Sequence, residues 1–199
     1  MTEHTGRQSK GALTRGRIVM EARRSLIESG YDDLSLRGVA DRLGIALGNL
    51  QYYFPTRDEL VLEVIRAEAS ADLETMRATV GLDASPRSHL ERLVYETVST
   101  WRGESGVLYM TLSFLALHRD AFRTEYRRVY KTFYEPIERA IERAEPGHPK
   151  SEYRQRARLL TALMDGAAMQ VQVGPHDRYL RSIVDAALAI VAPGITPAR

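Results

Sequence analysis

Apolar side chains recur at three- and four-residue intervals along almost the whole chain, and nowhere does a sustained run alternate apolar with polar residues. That spacing gathers apolar groups on one side of an α-helix, whereas a strand needs a period of two. The clearest instance is Phe122, Tyr126, Val129, Phe133, Ile137 and Ile141. Breaks fall at glycine, proline and capping residues, and the pattern between them predicts an all-α chain of about nine helices. Hydrophobic residues make up 44% and charged residues 27%, enough to fill a core and to exclude disorder as the main state. The 199 residues exceed one small domain and fall short of two average ones.

The helix boundaries follow from local chemistry. Ile18, Val19, Ala22, Leu26 and Ile27 form a first helix that stops at Ser29-Gly30, because glycine accepts the left-handed conformation. Ser35 caps a short second helix with Leu36, Val39, Ala40 and Leu43 on its apolar side, and Gly44 ends it. A third, about 47–54, stops before Pro55, and Thr56 with Glu59 makes a capping box for a long fourth. Gly81 to Ser85 is the clearest break; Ser85-Pro86 then opens a fifth helix running to about Trp101. A sixth is expected over about 107–118, after Gly103 and Gly106, and a seventh over 120–144 with a kink at Pro136. The last two, about 151–173 and 177–192, are joined by Gly174-Pro175.

Charge is informative only by position. The total is +2, yet the first 24 residues hold six basic residues against Glu3 and Glu21, a local +4. Cysteine is absent, which removes disulfides, thiolate nucleophiles and thiolate metal sites and suits a reducing cytoplasm. No apolar run approaches the ~20 residues that span a bilayer, so no membrane role is expected. The five histidines, at 4, 89, 118, 148 and 176, lack metal-ligand spacing, and no nucleophile or zinc-protease motif is present. Neither enzymatic activity nor a metal or cofactor is expected.

Residues 35–60, SLRGVADRLGIALGNLQYYFPTRDEL, place two short helices about a glycine turn and close them with a capped third. Such a helix-turn-helix can set its second helix in a DNA major groove. With Leu50 and Phe54 turned inward, Gly48, Asn49, Gln51, Tyr52 and Tyr53 are left to face outward. Asn or Gln pairs bidentately with an adenine edge, tyrosine hydroxyls bond phosphates, and Gly48 lets the helix backbone come close. Thr56 and Arg57 offer a hydroxyl and a cation at the positive end of the next helix. Ser35, Arg37, Leu47, Arg15 and Arg17 complete the expected contact set. Plainer readings exist: Tyr53 as packing, Asn49 and Gln51 as solvated surface, Arg57 as a partner within its own helix, and the basic arm with Arg7 and Lys10 as a mere terminus. A helical protein-interaction module without DNA binding is the alternative function.

At this segment the chain resembles the TetR family of transcriptional regulators, most densely over GIALGNLQYYFPTRDEL. The resemblance departs at Ala46 and Leu47, where the family usually has a capping hydroxyl and often a lysine, and at Gln51, where many members have tyrosine. It implies an N-terminal DNA-binding domain and a C-terminal body that binds an effector and dimerises. The expected division is a flexible basic arm over 1–13, the headpiece over 14–66 with the helix-turn-helix at about 35–54, and the body over 67–199. The resemblance further implies a cytoplasmic homodimer that binds a near-palindromic double-stranded DNA operator, acting as a ligand-responsive repressor.

Two sets of residues in the body carry these expectations. Leu160, Leu163, Ala167, Ala168, Val171, Leu180, Ile183, Val184, Ala187, Leu188 and Val191 make the last two helices broadly apolar. A monomer could cover them, whereas in the family such a pair meets its symmetry mate as a four-helix bundle. Trp101, Arg102, Tyr109, Met110, Phe114, His118, Tyr126, Tyr130, Phe133, Tyr134, Met164, Asp165 and Met169 are candidates to line a pocket for a small lipophilic or aromatic effector. Each of them could equally be core or a satisfied structural group.

Overall fold

A computed structural model describes residues 10–78, 85–173 and 180–191. Among them lie nine α-helices and no strand: α1 (Lys10–Asp33), α2 (Leu36–Leu43), α3 (Leu47–Tyr53), α4 (Arg57–Ala78), α5 (Pro86–Trp101), α6 (Glu104–His118), α7 (Asp120–Ala144), α8 (Lys150–Val173) and α9 (Leu180–Val191). The chain divides into two compact units, and the boundary between Ala67 and Glu68 falls inside α4.

In the first unit Ile18, Ala22 and Leu26 of α1, Val39 and Ala40 of α2, Leu50 of α3, Phe54, and Leu60, Val61, Val64 and Ile65 of α4 are all buried. Truncating one such leucine to alanine in a close-packed core costs about 2–5 kcal/mol. A polar clamp fastens α1 to α2. Glu21 is buried and paired with Arg24 and Arg42, and Arg42 Nη1 also donates to Ser25 Oγ at 2.9 Å. Gly44 takes the left-handed conformation (φ 64°), so that Gly44 N–H reaches the Asp41 carbonyl at 3.1 Å and Ile45 N–H the Ala40 carbonyl at 3.0 Å. This Schellman-type stop ends α2 and sets the turn into α3.

The second unit is organised about α7, which packs against α5, α6 and α8. Its apolar stripe Phe122, Val129, Phe133, Ile137 and Ile141 is buried, as the spacing predicts, and α7 continues as one helix through Pro136. The Trp101, Tyr109 and Phe133 rings meet mutually at centroid distances of 5.5–5.8 Å. At the other end of α7, Tyr153 accepts from His148 N–H and donates to the Glu145 carbonyl, tying the connector onto α8.

Three boundaries differ from the sequence expectation, the first being the end of α1, which runs to Asp33 with non-helical backbone at Gly30 (φ 77°), the residue expected to stop it. The basic arm was expected to stay irregular through residue 13, but α1 already includes Lys10 to Leu13, with Thr14 Oγ1 donating to the Lys10 carbonyl at 3.0 Å. Arg7 and the rest of 1–9 lie outside the described residues. Helix α6 begins at Glu104, three residues before the expected start, and so contains Gly106. Glycine there serves packing: a Cβ would lie 1.7 Å from the Trp101 carbonyl oxygen and 2.5 Å from Gln172 Nε2. The connections 79–84 and 174–179, and with them the Gly81 break and the Gly174-Pro175 joint, also fall outside the described residues.

Candidate nucleic-acid interface and cavity

Helix α3 is held from one side by Leu50, which is fully buried, and by Phe54 at its end. Its opposite side is open: Gly48, Asn49, Gln51 and Tyr52 are exposed, Tyr52 to 79%. Leu47 and Tyr53 are half-buried, and the Tyr53 ring meets Tyr52 edge to face at 5.2 Å. Ala46 heads the helix without a side-chain cap, as the missing hydroxyl requires. A Cβ on Gly48 would meet nothing within 4 Å. The chain's own packing therefore does not require glycine there, although glycine costs a helix about 1 kcal/mol relative to alanine.

The remaining expected contacts separate into two groups. Arg17 and Arg37 are exposed cations; Ser35 is exposed while its Oγ accepts the Gly38 N–H at 3.0 Å; Thr56 is exposed and its Oγ1 accepts the Glu59 N–H at 3.2 Å. Arg57 and Arg15 stand differently. Arg57 Nη1 donates to the carbonyls of Tyr31, Asp32 and Leu34 at 3.2, 3.3 and 3.4 Å, and its guanidinium lies 4.0 Å from the Tyr31 ring centroid. Tyr31 in turn donates to Asp58 Oδ1 at 2.5 Å, and burial, then that carboxylate, raises its pKa. A phosphate contact was expected at Arg57; in the structure its Nη1 satisfies carbonyls at the end of α1, a use that its neighbour Thr56 in sequence does not reveal. Arg15 pairs with Glu63 at 2.6 Å and lies over the Phe54 ring at 5.1 Å, so its charge is already engaged within the first unit.

In the second unit a cavity of about 380 Å³ opens between α5, α6, α7 and α8. Trp101, Tyr109, Met110, Tyr126, Tyr130, Asp165 and Met169 line it as expected, together with Gly106, Ser113, Gly166, Ala168 and Gln172. Its volume falls in the usual range for small-molecule sites. Tyr130 donates to Asp165 Oδ2 at 2.9 Å and Tyr109 to Asp72 Oδ2 at 2.7 Å. Burial raises the pKa of both hydroxyls, and the carboxylates they bond raise them further. Desolvation pushes Asp165 itself up to about 6, against a smaller downward pull from the Tyr130 hydrogen bond. Gln172 Nε2 donates to the Gly103 carbonyl at 2.6 Å and to that of Trp101 at 3.3 Å, closing the turn from α5 to α6.

Six expected lining residues lie elsewhere. Phe133 and Met164 are buried in the core behind the cavity wall. Arg102 is exposed, and Phe114 (64% exposed) faces outward with its ring 5.6 Å from that of His118. Tyr134 is half-buried, with Arg158 over its ring at 5.6 Å. Aromatic type alone could not separate Phe114, Phe133 and Tyr134 from Tyr109, Tyr126 and Tyr130, which line the cavity.

The expected dimer residues are also redistributed. Leu160, Ala167, Ala168, Val184, Ala187 and Leu188 are buried within the single chain, because α5 and α7 pack on α8, and α5 and α8 on α9. They are core residues, which corrects their assignment to an outer face. Leu163 and Ile183 stay half-buried, and beside them Leu159, Ala162, Ala186 and Ala189 leave an uncovered strip of small and apolar side chains. The side chains of Val171, Leu180 and Val191 lie outside the described residues.

A buried helix-turn-helix core with a polar, open second helix, on an all-α body with a cavity, defines a class: the DNA-binding transcriptional regulators. Residues 18–64 match the bacterial regulatory proteins of the tetR family, and residues 86–193, more than half the chain, match the C-terminal part of BetI-type transcriptional repressors. The chain belongs to the TetR family. It is 23% identical over 168 residues to the HTH-type transcriptional regulator PksA of Bacillus subtilis, covering 81% of this chain and 82% of that one. Its fold is similar to that of a Rhodococcus regulator (TM-score 0.78, 21% identity, 92% of this chain and all of the other). A Saccharomonospora viridis regulator solved in complex with choline is also similar (TM-score 0.77, 21% identity, 89% and 96%). Among the described residues no helix is long and apolar enough to cross a membrane.

Proposed function

We propose that this regulator is a cytoplasmic, homodimeric repressor that binds a near-palindromic operator and is released by a small lipophilic or aromatic effector. The observation that carries the DNA-binding half is the open side of α3, where Gly48, Asn49 and Tyr52 share one helical face and take no part in the core. Asn49 supplies base readout, Tyr52 and Thr56 position the backbone, and Arg17 and Arg37 add charge. The uncovered strip on α8 and α9 supports the dimer. Two headpieces related by a two-fold axis require a two-fold related site.

The cavity supports ligand control, and the choline held by the Saccharomonospora viridis protein is a case of a small molecule on this fold. An effector shifts the population only if it prefers the state that does not dock on DNA. A mobility-shift assay on the DNA flanking the protein's own gene tests the reading. Retarded bands that appear at a palindromic stretch, need Asn49, and are lost on adding an effector support it; a folded dimer that retards no palindrome there contradicts the local-repressor form.

A further inference from the structure

A second cleft in the same unit, of about 540 Å³, lies apart from the cavity already described and is basic where that one is acidic. Its floor is buried, formed by His89 of α5 (6% exposed) with Pro136 and Ala140 of α7. Its rim is exposed, formed by Arg77 in the last turn of α4 and by Glu135, Arg139 and Arg143 of α7. Helical phase sorts the charges of α7. At 3.6 residues per turn Arg139 and Arg143 fall on the side of Pro136 and Ala140, whereas Glu138 and Glu142 turn to the adjoining side and do not line the cleft. Three guanidinium groups thus share one opening with the single carboxylate of Glu135, a net +2 with His89 neutral.

The negative end of a helix favours a cation in its last turn, which accounts for Arg77 and Arg143 taken singly. It does not account for their meeting Arg139 over one cleft, where like charges repel unless an anion lies between them. Among the described residues Arg139 pairs with Glu135 at 3.2 Å, and neither Arg77 nor Arg143 makes an ion pair. A guanidinium presents its donors as a planar fork that matches the oxygens of a phosphate. A neutral ligand would leave the repulsion in place, and a monoanion would neutralise half of the net charge. A dianion balances it, and the volume leaves room for an organic body attached to the anion.

We propose that this cleft binds a phosphoryl dianion, inorganic phosphate or the head of a phosphate monoester, between Arg77, Arg139 and Arg143 above the buried His89. Such a ligand bridges α4 and α7. The site is distinct from the effector cavity and stands or falls independently of the function proposed above.

The full-length protein is titrated calorimetrically at constant ionic strength and at about pH 8, where a phosphate monoester is a dianion. The probes are phenyl phosphate, benzenesulfonate and inorganic phosphate. Phenyl phosphate and benzenesulfonate share a ring and three terminal oxygens and differ by one charge. The phosphate ester is expected to bind about tenfold or more tighter than the sulfonate. Arg77→Gln and, separately, the double variant Arg139→Gln/Arg143→Gln are each expected to weaken phenyl phosphate about tenfold. All three positions are exposed, so the core is untouched. Arg127→Gln, at an exposed arginine of the same helix outside the cleft, is expected to leave affinity within about twofold. Phenyl phosphate binding tighter than inorganic phosphate identifies an ester as the ligand, and equal affinities identify the free ion; either, with the losses in the variants, supports the proposal. Equal affinity for ester and sulfonate, phosphate binding that survives either cleft variant, or no binding of either phosphate overturns it.

Discussion

Single residues of the headpiece fall into those held by the chain and those left for something outside it, and substitution separates the two. Gly48→Ala puts a methyl into open space, so the headpiece is expected to gain about 0.5–1 kcal/mol in thermal unfolding while operator affinity falls. Asn49→Ala is expected to lower the preference for operator over scrambled DNA by about 1–3 kcal/mol, measured by anisotropy, with little change in melting temperature. Arg57→Ala behaves oppositely. Losing three carbonyl contacts and the Tyr31 stack should cost about 1–3 kcal/mol of stability, and the slope of affinity against salt should stay as it is. A shallower salt slope with unchanged stability would return Arg57 to the phosphates.

Helices explain which of these roles could be read beforehand. Periodicity and caps gave the helix order, since Ser35, Gly44, the Thr56 cap and Ser85-Pro86 act through neighbours a few residues away. The outward face of α3 was legible for the same reason. Partners remote in sequence were not: Arg57 on the end of α1, Arg15 on Glu63, and Gly106 under the Trp101 carbonyl depend on packing between elements. Apolar spacing on α8 likewise showed that the helix has a buried side, but not that its own chain covers Leu160 and Ala168 and leaves Leu159 and Ala162 open. Leu163→Glu, at the edge of that open strip, is expected to give monomers in sedimentation and to abolish operator binding; a dimer that persists would place the interface elsewhere. Packing of α7 on α8 also desolvates Asp165, and the sign of the consequence is fixed. A carboxylate whose folded pKa is about 6, above its ordinary 3.8, penalises the folded state once ionised, and the penalty grows as pH rises between those values and is complete above them. Asp165→Asn should therefore raise the melting temperature more at about pH 7.5 than at about pH 4.5. An equal gain at both would show that Asp165 is not desolvated in solution.

At the level of the molecule, a total charge of +2 averages a basic N-terminal stretch with a body in whose cavity Asp165 is the one charged lining side chain among the described residues. The two compact units differ in chemistry: the first exposes amide, hydroxyl and guanidinium groups, and the second lines its cavity with aromatic rings and an acid. Helix α4 runs through the boundary between them as a continuous element. The central claim is sequence-specific DNA binding by the open face of α3. It is tested most directly by fluorescence anisotropy of labelled duplex from the region beside the protein's own gene, with wild type and Asn49→Ala compared on the palindrome and on its scrambled form. The account predicts two protomers per duplex and a preference for the palindrome that Asn49→Ala largely removes; equal affinity of wild type for palindromic and scrambled duplex would contradict it.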